Sequence, residues 1–252
     1  MVERLCAIRM LVIIATIIAY AGQCLLILAL FAVLGLFYYG WHFAPSAPSA
    51  APGTIRVACI GDSITCGALL KNRKENCYPA QLEKMLGNGY SVRNFGVNGH
   101  TLQKKATWPY RPYWNHKNFG ASSRFAPHIV LIMLGTNDAV RLNWKGIGSF
   151  RDDYRAMLRH YCSLPCRPQV YAMTPPAEFP TRKRSNERIG EMNQAIRELA
   201  KEMAVGVIET NAATANHPEC FWFDGVHPDA KGARIIAKAV YGKLLSERHH
   251  SS

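Results

Sequence analysis

His128-Ile129-Val130-Leu131-Ile132-Met133-Leu134-Gly135-Thr136-Asn137-Asp138 is the stretch that decides how this chain is read. From His128 to Leu134 the residues are almost continuously apolar. A strand wetted on one face alternates apolar and polar residues, whereas a strand covered on both faces has no need to. The run therefore predicts a buried strand, closed by Gly135. Outward from it, four more segments read as strands: Ile55–Ile60 before Gly61, Tyr90–Phe95 before Gly96, Gln169–Met173, and Val205–Glu209. Helical spacing falls between them. Tyr78–Leu86 puts Leu82, Met85 and Leu86 on one face. Ser149–Tyr161 has Ser149 as its N-cap. Asn186–Met203 is long and amphipathic, and Asp229–Leu245 sets Ala230, Ala233 and Ile236 on one side. Strands alternating with helices predict an α/β domain, a parallel sheet with helices on both faces and right-handed crossovers. A site in such a sheet lies at the carboxyl ends of the strands.

Three segments with chemical potential fall at those ends, and a fourth falls just before the last helix. Gly61-Asp62-Ser63-Ile64-Thr65 follows the first strand, and its glycine permits a tight turn that presents Ser63. Asn94-Phe95-Gly96-Val97-Asn98-Gly99-His100-Thr101 follows the second, where a backbone N–H can donate to an oxyanion. Gly135-Thr136-Asn137-Asp138 follows the third and offers the Asn137 amide to the same oxyanion. Asp224-Gly225-Val226-His227-Pro228 precedes the last helix. An Asp three residues before a His can accept from one imidazole nitrogen, leaving the other to take a serine proton. Taken singly, each segment reads as an ordinary turn or cap. Together they supply a nucleophile, a backbone donor, an amide donor, and a base with its orienting acid, the parts that acyl transfer needs.

In this combination and order the four segments resemble the SGNH/GDSL hydrolase family, over nearly all of residues 55–246. The resemblance implies Ser63 as nucleophile, His227 as base and Asp224 as acid. It implies an oxyanion hole of the Ser63 N–H, the Gly99 N–H and the Asn137 amide. Gly99 lies five residues after Asn94 and matches the family's glycine donor better than Gly96 does. It also implies a three-layer α/β/α sandwich with about five parallel strands, flavodoxin-like in order, and neither metal nor organic cofactor. The chain looks like the bacterial carbohydrate O-acetylesterases of that family.

The N-terminal part differs from the rest. No charged residue occurs between Arg9 and Arg56, and residues 10–41 are almost wholly apolar. A membrane-spanning helix needs roughly 20 such residues, and a signal peptide core roughly 7–15. The tract therefore predicts one transmembrane signal-anchor. Arg4 and Arg9 place residues 1–9 in the cytoplasm and the remainder outside. Residues 42–54, rich in Pro, Ala and Ser, read as a semi-rigid linker to a hydrolase domain at 55–252. Cleavage within the linker, giving a secreted product, is the alternative.

The chain of 252 residues carries a formal charge of +13, nearly all of it in the domain. Nucleic acid is not the expected partner, because the positive residues are scattered and the domain is placed outward. An ester substrate, an acidic glycan or an anionic membrane surface fits better. Six cysteines lie in the domain, and outside the cytoplasm disulfides are allowed. Cys66 with Cys77, and Cys162 with Cys166, are the pairings considered. Cys59, in an apolar strand, reads as a buried free thiol.

Three readings of function stay open. The aromatic stretch Trp108-Pro109-Tyr110-Arg111-Pro112-Tyr113-Trp114 suits stacking on sugar, though it equally reads as a packed surface loop. That stretch favours a short-acyl, acetyl-type esterase acting on carbohydrate. A membrane tether and a positive domain favour a lysophospholipase or acyl thioesterase, against which the polar loop Leu69–Asn76 weighs. The third reading is a non-catalytic glycan-binding module of the envelope.

Overall fold

The computed structural model describes residues 53–179 and 183–249, together with residues 20, 22–24 and 27, which are helical and exposed. Among the described residues no helix is long and apolar enough to cross a membrane. The expected span at residues 10–41 lies almost wholly outside them, as does most of the linker. The chain divides into two compact units, Met1–Phe43 and Ala44–Ser252.

The second unit begins with β1 (Ile55–Gly61), α1 (Ser63–Cys66), α2 (Arg73–Asn76), α3 (Tyr78–Leu86) and β2 (Tyr90–Asn94), then the short strands β3 (His100–Thr101) and β4 (Arg111–Pro112). Next come α4 (Lys117–Arg124), β5 (Ile129–Met133), α5 (Ile147–Cys162), β6 (Gln169–Met173) and α6 (Lys183–Glu202). The unit closes with β7 (Gly206–Ile208), α7 (Thr210–Thr214) and α8 (Ala230–His249). Five strands form one sheet in the order β2-β1-β5-β6-β7. Every pair in it is parallel. Counting only its own strands, the order is 2-1-3-4-5, the flavodoxin-like arrangement.

The strand period of two sorts the core into two faces. Ala58, Ile60, Val130, Ile132, Val170 and Ala172 point one way, against Phe150, Tyr154, Met157 and Leu158 of α5 and Ile189, Met192, Ile196 and Leu199 of α6. Val57, Cys59, Val92, Leu131, Met133 and Met173 point the other way, against Tyr78 and Leu82 of α3 and Ile236, Ala237, Val240 and Leu244 of α8. The result is the α/β/α layering expected.

Several boundaries move. Helix α5 begins at Ile147 and is capped by Gly146 at φ 90°, not by Ser149, which lies inside its first turn. Ala230 is exposed at the start of α8, and the buried stripe begins at Ala233. Asp229 caps that helix, its Oδ1 accepting from the Lys231 and Gly232 N–H groups at 2.7 and 2.9 Å.

The described cysteines are all free thiols. Neither expected pairing forms. The sulfurs of the first pair face different partners: Cys66 Sγ accepts from the Arg73 guanidinium, and Cys77 Sγ from the Asn94 amide. Cys162 is exposed and Cys166 half-buried. Cys59 is fully buried, and burial pushes its thiol far up.

Candidate active site

Strand β1 hands the chain directly to Ser63. A Cβ on Gly61 would stand 2.0 Å from Thr65 Oγ1 and 2.7 Å from the Met133 carbonyl oxygen, so only glycine lets α1 fold back over the strand end. Asp62 caps α1 by accepting the Ile64 N–H on Oδ1 at 3.0 Å. Burial pushes the Asp62 carboxyl up to about 6. On the far side of the turn, Asn94 Nδ2 donates to the Thr65 carbonyl at 2.7 Å, while its Oδ1 accepts from the Gly96 N–H at 2.9 Å. One side chain thus ties the exit of β2 to the back of α1. Gly96 packs so closely there that an added Cβ would lie 2.3 Å from the Cys66 nitrogen.

His227 reaches Ser63 from the last loop, with Nε2 2.8 Å from the serine Oγ. Its Nδ1 lies 2.6 Å from Asp224 Oδ2. The other oxygen, Oδ1, accepts the Val226 and His227 N–H groups at 3.0 and 3.1 Å. An ionised carboxylate only accepts, so the imidazole proton sits on Nδ1, and Nε2 is left to accept from the Ser63 hydroxyl. Burial alone would raise the Asp224 carboxyl, but the histidine ring and the two backbone donors outweigh it and hold the carboxyl below its usual value.

The loop that carries this pair is clasped from both sides. The Trp222 N–H donates to the His227 carbonyl at 2.8 Å, and the Phe179 N–H to the Gly225 carbonyl at 2.6 Å. Gly225 has φ 68°, and a Cβ there would fall 0.9 Å from the Phe179 carbonyl oxygen. No other residue fits at position 225 without moving the loop after β6.

Gly99 and Asn137 are joined through the residue between them in space. The Asn137 amide donates to the His100 carbonyl at 2.9 Å. That uses one of its two hydrogens and leaves the other for a ligand. Gly99 takes φ 67°, a left-handed conformation that glycine adopts without strain. Asp138, the next residue after Asn137, fastens the loop after β2 to the loop after β5: its two carboxylate oxygens accept the Leu102 and Gln103 N–H groups at 2.9 and 2.8 Å. It is fully buried, and burial pushes its carboxyl up to about 7. Asn143 adds a further tie, donating to the Asn137 carbonyl at 2.9 Å and accepting the Thr107 N–H at 3.0 Å.

Ser63, Gly99 and Asn137 therefore lie in segments at the carboxyl edge of the sheet, and Asp224 and His227 lie in the loop before α8 that meets Ser63 there. The residues that the sequence does not reveal are the struts: Asn94, Asp138 and Asn143. Each is an amide or carboxylate near a glycine or beside another site residue, and nothing in a single sequence separates a strut from a turn cap.

The aromatic stretch divides. Tyr113 is fully buried and donates to the Phe95 carbonyl at 2.8 Å. Trp114 donates to the Leu102 carbonyl and stacks under Lys104. Both belong to the fold. Trp108 is 77% exposed and remains free to stack on a ligand.

Among the described residues, His217, Glu219 and Cys220 bring ligand-type atoms within 4.8 Å of one another. Glu219 Oε1 already faces the His217 ring at 3.2 Å and the Cys220 thiol at 3.7 Å. The cluster takes no part in the contacts of Ser63, His227 and Asp224.

Comparison with known proteins addresses the family and the fold. The model of the GDSL-like lipase/acylhydrolase family matches residues 59–235. An acetylxylan esterase of Xylanibacter ruminicola is 32% identical over 218 residues, covering 79% of this chain. The chain spans only 45% of that relative's length. A carbohydrate acetylesterase family member from Sinorhizobium meliloti superposes with a TM-score of 0.63 at 20% identity, covering 75% of this chain and 96% of that one. An acetylxylan esterase from Geobacillus stearothermophilus gives 0.61 at 21% identity, over 76% and 95% of the two chains. These two likenesses speak to the fold. The family match spans most of the chain, and with the strand order and the Gly61–Thr65 turn it places this protein in the GDSL-like lipase/acylhydrolase family.

Proposed function

We propose that the chain is a serine esterase that removes short acyl groups, acetyl in the first instance, from carbohydrate through an acyl-enzyme on Ser63. The observation that carries this reading is the unbroken relay from Ser63 Oγ to His227 Nε2 at 2.8 Å and from His227 Nδ1 to Asp224 Oδ2 at 2.6 Å. Ser63 attacks the ester carbonyl while His227 takes its proton. The tetrahedral oxyanion rests on the Ser63 and Gly99 N–H groups and the second hydrogen of the Asn137 amide. His227, now charged and held by Asp224, returns the proton to the leaving alcohol. Water enters, gives a proton to the same nitrogen and attacks the acyl carbon; as the bond from the acyl carbon to Ser63 Oγ breaks, His227 returns that proton to Oγ and the acid leaves.

Carbohydrate is favoured by the kinship with an acetylxylan esterase and by the exposed Trp108 ring. A second reading, a lysophospholipase or acyl thioesterase at a membrane, draws on the exposed Leu69 and Phe223 in the segments that flank Ser63 and Asp224. The apolar tract at residues 10–41 supports placement of the domain outside the cytoplasm on a single-pass anchor. Hydrolysis of 4-nitrophenyl esters from acetate to palmitate tests both the activity and the acyl length. A rate that is highest for acetate and lost in Ser63→Ala supports the proposal. A rate that rises with chain length overturns the acetyl assignment, and unchanged activity in Ser63→Ala overturns the nucleophile.

A further inference from the structure

The charge of this domain is not spread evenly over its loops. The three segments that leave β1, β2 and β5 at the carboxyl edge run from residues 62 to 77, 95 to 116 and 134 to 146. Together they carry eight lysines and arginines against three carboxylates, Asp62, Glu75 and Asp138. Asp62 and Asp138 are buried and engaged by backbone N–H groups, which leaves Glu75 as the exposed one. The same segments hold Ser63, Gly99 and Asn137. On the other side of the edge Glu209 pairs with Arg197, Glu219 faces His217, Asp224 faces His227, Asp229 caps α8, and Glu178 is buried.

The cations are mostly without such partners. Among the described residues, Lys104 is the one of the eight that meets a carboxylate, Asp153 at 3.6 Å. Lys71, Lys74, Lys105, Arg111, Arg141 and Lys145 are exposed, and none of them is in an ion pair among the described residues. Lys145 is held in place without being neutralised. Its Nζ donates to the Leu142 carbonyl at 2.9 Å and to Thr107 Oγ1 at 3.5 Å. Those contacts bridge the loop after β5 to the loop after β2 and leave a third ammonium hydrogen for a ligand. Trp108 is exposed in the same pair of loops.

We infer that the ester substrate is an acidic carbohydrate, a chain of acetylated sugars carrying carboxylates, held by the cationic loops around Ser63. The inference rests on the esterase reading above and names the substrate class of that site. A neutral glycan gains nothing from unpaired cations, whereas a polyanion is drawn to them from a distance and then held at several points. Cations distributed over three loops match charges repeated along a polymer. A flat exposed tryptophan in the loop after β2 suits a sugar ring.

The test compares acetate release by the full chain from two polymers of equal acetyl content, an acetylated polygalacturonate and an acetylated xylan. At about 20 mM salt the long Debye length exposes the charge effect, and at about 500 mM it is screened. The expected kcat/KM favours the polygalacturonate by about tenfold or more at low salt, and that preference collapses at high salt. In Arg141→Gln/Lys145→Gln the preference falls severalfold at low salt. Equal or better cleavage of the xylan overturns the inference, as does a preference that ignores salt. Faster cleavage of lysophosphatidylglycerol micelles than of either polymer also overturns it and assigns the cationic loops to anionic lipid. Hydrolysis of 4-nitrophenyl acetate in the same preparation keeps the two readings apart. Ser63-dependent activity there without a polygalacturonate preference sinks this inference alone. No Ser63-dependent activity on any ester sinks the esterase reading as well.

Discussion

Gly96→Ala tests how Ser63 is positioned without touching a catalytic group. Gly96 lies outside the left-handed region, so alanine carries no backbone strain there. The whole effect is one methyl group. That methyl would stand 2.3 Å from the Cys66 nitrogen, 2.8 Å from the Thr65 carbonyl carbon and 2.9 Å from the Asp62 carbonyl oxygen. All three are backbone atoms of the turn that holds Ser63, and none can swing aside as a side chain would. Ordinary contact begins near 3.4 Å. The turn must therefore retreat by about 1 Å, and a misplacement of that size costs on the order of 100-fold in rate. Overpacking of this kind also costs about 1–3 kcal/mol of stability. The assay is kcat on 4-nitrophenyl acetate, with circular dichroism to verify folding. Gly148→Ala is the control, because nothing lies within 4 Å of a Cβ there. A folded Gly96→Ala protein with wild-type kcat would refute the claim that close packing of the β2 exit sets the nucleophile.

Three further outcomes rest on the same geometry. Asn137→Ala removes the proposed oxyanion donor and the tie to His100, and kcat should fall about 100- to 1000-fold with KM little changed; a drop under tenfold in steady-state assays would exclude Asn137 from the oxyanion hole. Gly225→Ala cannot be accommodated against the Phe179 carbonyl, so the variant should lose most activity and melt several degrees lower in calorimetry, and wild-type values for both would contradict the clasped loop. Asp62 and Asp138 have carboxyls raised to about 6 and about 7, so the folded state keeps protons that the unfolded chain releases near pH 4. Their contribution to stability is full below that point and is lost as pH rises to about 7. Urea denaturation between pH 4.5 and 7.5 should show Asp138→Asn flattening this fall, whereas an unaltered slope would mean that the Asp138 carboxyl is not raised.

The long elements are legible because burial leaves a period in the sequence. Gln169–Met173 and Tyr78–Leu86 match their sequence patterns to the residue, since one is an apolar run of strand length and the other has helical spacing before a glycine. The apolar run His128–Leu134 exceeds its strand by one residue at each end: Leu134 is as buried as the middle, and His128, though exposed, still bonds through its backbone to Arg56 and Gln169 on the neighbouring strands. The short pieces are not legible. Ser63–Cys66 and Arg73–Asn76 each make a single turn, and the two-residue pairing of His100–Thr101 with Arg111–Pro112 has no period at all. Among the site residues, Ser63, Asp224 and His227 stand out by residue type and order. Asn94, Asp138 and Asn143 do not, because their work is done on backbone groups far along the chain. The Arg188 guanidinium, which donates to the Ala139 carbonyl at 2.7 Å from 49 residues away, is equally invisible.

Ser63 is the proposed nucleophile, made reactive by His227. The direct measurement is mass spectrometry of the protein after exposure to an aryl phosphonate ester, which transfers its phosphonyl group to an activated serine. The expected result is a single adduct on the peptide that contains Ser63, loss of esterase activity in step with labelling, and no adduct in His227→Ala. An adduct on another residue, or full esterase activity with Ser63 labelled, would contradict it.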